Sequence, residues 1–94
     1  MIKDYEIAIL VRMYDKRIMR HRGYRSLHRV ERVIKWEEIA KKYKVRKSFK
    51  SVIRKLSKRK LVDDQGKSCR VCSLDVFGIR FVESLSDEEM GEYL

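Results

Sequence analysis

The sequence predicts a mainly helical α+β protein: short helices and one small β-hairpin in a single domain of 94 residues. Two observations carry this expectation. Residues 36–61, WEEIAKKYKVRKSFKSVIRKLSKRKL, hold two runs with apolar residues at helical spacing, joined by a short turn. Residues 61–75, LVDDQGKSCRVCSLD, hold two extended runs about Gly66, which supplies a hairpin turn. The length allows one modest core.

The elements follow in order. Residues 4–20 are predicted as the first helix, within a 1–20 segment, with Asp4 as N-cap. Ile7, Leu10, Val11, Tyr14 and Ile18 form its core stripe. Ile2, Ile9 and Met13 form a second apolar stripe on the other side. A chain this small is expected to leave that side for a partner subunit. Residues 21–35 form a basic insertion. Gly23 ends the first helix; Leu27, Val30 and Ile34 support a short helix from Ser26, and residues 32–35 alternatively make a short strand. Residues 36–59 are the two helices around the turn. Trp36, Ile39, Ala40 and Tyr43 face inward, and Glu37 and Glu38 suit the positive end of the helix dipole. Lys44 stands in the turn where Gly is common, and Val45 plugs it. The second of the two helices is expected to begin at Arg46 or Lys47. Residues 61–75 are the hairpin, with Cys69, Val71 and Ser73 on one face and Arg70, Cys72 and Leu74 on the other. Residues 76–94 are a closing helix capped by Asp75, then an acidic end in which Ser86 reads as another N-cap, leading to a short terminal helix or a frayed tail. The closing helix is apolar nearly all round, so Phe77, Phe81 and Leu85 join Ile2, Ile9 and Met13 as the expected homodimer interface.

Charge points to the partner. The chain carries 24 Lys+Arg against 14 Asp+Glu, net +10. Residues 1–35 carry net +6, 36–60 net +9 and 61–94 net −5. The second helix of the pair puts Val45, Phe49, Val52, Ile53 and Leu56 on one arc and Lys47, Ser51, Arg54 and Lys58 opposite, with Lys50 at the edge. One greasy face and one cationic face suit a helix held by a small core and laid in a DNA major groove. Arg binds guanine bidentately, so Arg54 is the first candidate for base reading, with Lys47 and Lys50 next. Ser48 and Ser51 permit close approach. Arg46, Lys55, Lys58, Lys67 and Arg70 suit phosphates. Arg22, Arg25 and Arg29 of the insertion are additional candidate contacts.

At this level the chain resembles a winged helix-turn-helix protein of the small archaeal or archaeal-virus regulator type. "VIKWEEIAKKYKV" is similar to the strand and second helix of that family, "KSFKSVIRKLSKRKLV" to the recognition helix, and "GKSCRVCSLDVFGIRFV" to the wing and closing helix. The resemblance implies the order helix, short strand, helix, helix, hairpin wing, helix. It implies sequence-specific binding of double-stranded DNA by a homodimeric transcriptional regulator. It also implies that Lys47, Ser48, Lys50, Ser51 and Arg54 lie at the groove. Lys60 departs from the Gly usual before the first wing strand. The alternatives are a winged-helix protein–protein module and a non-specific DNA or RNA binder.

Other classes have little support. No Gly-rich phosphate loop and no nucleophile–base set suggests an enzyme. Cys69-x-x-Cys72 lacks a second Cys pair, so buried free thiols are expected, with no metal and no cofactor. No small-molecule ligand is implied. No apolar run reaches the ~20 residues of a membrane span, and the N-terminus has no signal-peptide pattern, so a cytoplasmic protein is expected. The absence of Asn, with 40% charged residues, suits a thermophile.

Overall fold

α1, Asp4–Asp15, is the helix on which several later elements pack. The computed structural model describes residues 1–66 and 69–94. After α1 come a 3-10 turn (Arg20–Arg22), β1 (Arg25–Ser26), α2 (Leu27–Val33), α3 (Trp36–Lys42) and α4 (Phe49–Lys58). β2 (Val62–Asp63), β3 (Val71–Leu74), α5 (Val76–Glu83) and α6 (Asp87–Tyr93) complete it. The described residues form a mainly helical α+β structure with a three-stranded antiparallel sheet in the order β1-β3-β2. Val62 pairs with Leu74, and Arg25 with Cys72.

α1 is shorter than its periodicity suggests. Its N-cap is Lys3, whose N–H donates to Glu6 Oε1 at 2.9 Å; Asp4 instead accepts from the Tyr93 hydroxyl. The helix stops because Arg17 turns left-handed (φ 62°). The chain then extends so that both Ile18 and Met19 are buried, and Ile18 O accepts the Leu74 N–H. A helix continued to residue 20 would forgo that tie to β3.

α1 also buries more than one stripe. α3, α5, α6 and β3 all pack on it, and Ala8, Ile9, Leu10, Val11 and Met13 are each 2% exposed or less. Ile9 and Met13 are therefore core residues of this chain and cannot form a subunit interface. The acidic end supplies part of that cover. It folds as α6, started by a Ser86–Glu89 capping box, and returns to α1. Arg12 fastens the arrangement. Its guanidinium donates to Ile34 O (2.9 Å), Tyr93 O (3.2 Å) and Leu94 O (3.4 Å), satisfying carbonyls where α2 and α6 end.

The basic insertion resolves as β1 followed at once by α2. Ser26 caps α2 by accepting from Arg29 N, as the short-helix reading expects. The expected strand at residues 32–35 does not form. Arg32 and Val33 are helical, Lys35 is left-handed (φ 59°), and the strand lies seven residues earlier, at Arg25–Ser26. Val30 and Ile34 are thereby buried from a helix rather than a strand.

α3 and α4 meet through Trp36 and Phe49, whose ring centroids lie 5.4 Å apart. Lys44 adopts φ 55° in the turn between them, the conformation for which Gly is usual. Val45 donates its N–H to Ala40 O at 2.8 Å and packs against the core. Lys60 likewise is left-handed (φ 61°) after α4. Asp75 caps α5 at its own N-terminus, accepting from Val76 N at 2.8 Å. α5 is less exposed than an unpartnered apolar helix would be. Gly78 and Val82 are buried, and Ile79, Phe81 and Leu85 are partly buried against the core.

Candidate nucleic-acid interface

α4 begins later than expected, at Phe49. Ser48 is its N-cap and accepts the Ser51 N–H at 3.2 Å, so Arg46 and Lys47 lie in the turn ahead of the helix. From there the predicted division of faces holds. Phe49, Val52, Ile53 and Leu56 are each 2% exposed or less. Lys50, Ser51, Arg54, Lys55 and Lys58 are exposed and, with Ser48, line one shallow depression. The Ser48 hydroxyl is committed to the cap, so only its remaining hydrogen-bonding capacity faces outward.

The charges on this face are crowded. The Lys47 ammonium is held below the ordinary lysine value by its neighbour Lys55, chiefly through their hydrogen bond and mutual repulsion, with Lys3 adding to it. An anion between Lys47 and Lys55 would relieve that repulsion. The first turn of α4 contains no acidic residue. The helix therefore offers both its dipole and its cations to a negative partner. Arg59, at the far end, points elsewhere. It pairs with the buried Glu6 carboxylate at 3.3 Å and ties α4 to the start of α1.

The hairpin packs beside α4. Asp63 and Asp64 turn their carboxylates inward onto the turn: Asp63 accepts from Gln65 N and from the Tyr24 hydroxyl, and Asp64 from Gly66 N. The Tyr24 hydroxyl, then the Gln65 N–H, hold the Asp63 carboxyl below the usual carboxylate value. Cys69 adopts φ 47° just before β3, so the alternation of a strand does not separate it from Cys72. Both thiols are free and buried. Burial raises both above the usual thiol value, Cys72 to about 12. The positive charges of Arg54 and Lys50 on α4 act on the Cys69 thiol in the opposite sense. Among the described residues no group of His, Cys, Asp and Glu is assembled for a metal ion.

Of the other candidates, Arg70 is exposed, and its carbonyl accepts the Leu27 N–H at 2.8 Å. It thus belongs as much to the start of α2 as to the hairpin. Lys67 lies outside the described residues. Arg22, Arg25 and Arg29 are exposed. In the expected subunit interface, Ile2, Phe81 and Leu85 are partly buried in the chain's own core, while Phe77 is 53% exposed beside Val76 at 44%. The residues with structural work that sequence reasoning missed are Arg12 and Glu6. Both were charged positions on a helix whose apolar stripe drew the attention, and their partners lie far along the chain.

Comparison with protein-family models, with curated proteins and with solved structures finds no match to this chain. Among the described residues no helix is long and apolar enough to cross a membrane.

Proposed function

We propose that this chain is a sequence-specific double-stranded DNA-binding protein of winged helix-turn-helix build. In this reading it is a transcriptional regulator, with α4 in the major groove and the β2–β3 hairpin as the wing. One observation supports the reading above others. α4 buries Phe49, Val52, Ile53 and Leu56 completely enough to be held rigidly, while Lys50, Ser51, Arg54, Lys55 and Lys58 remain outside. Arg54 is the base-reading candidate, and the lysines hold phosphates. A homodimer joined through Phe77 and Val76 presents two such helices to two half-sites.

Fluorescence-anisotropy titrations test this, with the DNA upstream of the chain's own gene and a scrambled duplex of equal length, each across a salt series. If each subunit neutralises about five phosphates, the log–log salt slope is near −4.5 per subunit and near −9 for a dimer, at ~0.9 per phosphate. Arg54→Ala is expected to weaken the preferred duplex far more than the scrambled one, by about 1–3 kcal/mol of discrimination. Its melting curve serves as the folding control. Equal losses on both duplexes would favour non-specific nucleic-acid binding. No duplex binding at low salt would sink the reading.

A further inference from the structure

The sheet order sets the geometry. α4 packs on β2 and α2 on β1, and β3 lies between those two strands. β3 is paired on both sides, and on one of them its partner is β2, on which α4 packs. Arg70, directly before β3, accepts the Leu27 N–H at the start of α2. Arg25 lies immediately before α2, and Arg29 in its first turn. Arg25, Arg29 and Arg70 are exposed. Among the described residues no carboxylate lies within ion-pair distance of them. The nearest hairpin carboxylates, Asp63 and Asp64, are occupied by turn N–H groups and, for Asp63, the Tyr24 hydroxyl.

We infer that Arg25, Arg29 and Arg70 continue the cationic face of α4 across the foot of the hairpin as one phosphate-binding track. The track holds the backbone of the same duplex beyond the stretch that α4 reads. This rests on the DNA-binding reading of α4 and extends it. The occupant is a phosphodiester backbone: among the described residues no aromatic ring stacks on these three arginines, and the depression that Arg29 lines with Ser26, His28, Arg32 and Val33 is open to solvent. Guanidinium groups on an open surface suit repeated, sequence-independent phosphate oxygens. One duplex is favoured over two because β3, which Arg70 directly precedes, pairs with both β1 and β2, so the α2 side and the α4 side of the sheet adjoin rather than stand apart. The division of labour follows: α4 supplies preference, and the arginine track supplies reach and salt-dependent affinity.

The test compares three full-length proteins on duplexes of about 12 and about 24 base pairs. They are the unmodified chain, the Lys50→Glu/Arg54→Glu variant and the Arg25→Ala/Arg29→Ala/Arg70→Ala variant. Thermal melting checks that each is folded, anisotropy across a salt series gives affinity and slope, and sedimentation gives stoichiometry. The triple variant is expected to keep its sequence preference. It should lose most of the advantage of the longer duplex, and its salt slope should shallow by about 2.7, at ~0.9 for each of three phosphates. A folded triple variant with unchanged slope and affinity overturns the track and leaves the α4 reading intact. Two duplexes per protomer in the unmodified chain, falling to one in the triple variant, also overturns it, in favour of a separate second site. An α4 variant that binds and discriminates like the unmodified chain overturns the α4 reading itself. Because Arg25 rests its guanidinium on the Tyr24 carbonyl, Arg29→Ala/Arg70→Ala is the second variant if the triple one melts early. Its expected shallowing is about 1.8, at ~0.9 per phosphate.

Discussion

Gly78 has no room for a side chain. A Cβ there would stand 2.1 Å from Leu61 O and 3.2 Å from Leu74 Cδ2, so α5 lies directly on the backbone that leads into β2. Backbone cannot move aside as a side-chain tip can. Gly78→Ala is expected to cost about 1–3 kcal/mol through overpacking, read as a lower denaturant midpoint with unchanged slope. Cys72 offers a second check at this scale. Its thiol is pushed up to about 12 by burial, so at pH 8 roughly one molecule in ten thousand holds a reactive thiolate there. Alkylation of Cys72 in the folded protein should therefore be far slower than in denaturant, followed by mass spectrometry. Fast labelling under native conditions would contradict the burial. The close approach at Gly78 was not legible in the sequence, because its partner is 17 positions away. The burial of both cysteines as free thiols is as expected, although the left-handed Cys69 backbone departs from the alternation of a strand.

At the scale of elements, three caps were readable, while Asp4 and the start of α4 were not. Ser26, Asp75 and Ser86 each start the helix that their side chains suggest, because capping is a local hydrogen bond. Helix ends were less readable, because tertiary burial decides them. Ile18 continues the stripe of α1 by spacing, yet the chain leaves the helix to bury Met19 as well. Composition leaves the acidic end as tail or helix; its packing on α1 is fastened by Arg12, whose partners are distant in sequence. Arg12→Ala is expected to lower stability by about 1–3 kcal/mol, since it leaves the Ile34 and Tyr93 carbonyls without that donor. The insertion makes a pH-dependent contact with the hairpin. The Tyr24 hydroxyl bonds Asp63 Oδ2 at 2.6 Å and lowers that carboxyl's pKa. A lowered carboxylate pKa stabilises the fold above the ordinary carboxylate value, and the benefit is lost as pH falls through the lowered one. Tyr24→Phe should therefore be less stable than the unmodified chain at pH 7, and the gap should narrow near pH 3. Urea midpoints at both values measure this.

For the whole molecule, the uneven charge along the chain becomes an uneven charge in space. The segment of net +9 supplies the face of α4, while the segment of net −5 supplies the hairpin turn, α5 and α6. The faces of α4 were legible because helical periodicity needs no tertiary knowledge. The expected dimer face was not, because Ile9 and Met13 are buried within the chain, and whether a chain can cover its own first helix depends on how its later elements pack. Of that face Phe77 stays exposed, with Val76 beside it. The central claim is that the outward side of α4 meets DNA. A titration of 15N-labelled protein with a short duplex at low salt, followed by amide chemical shifts, tests it most directly. The expected result is that the amides of residues 47–58 shift first and most, with those of residues 69 and 70 following. Shifts centred on α5 or α6, or no shifts while the protein remains folded, would contradict it.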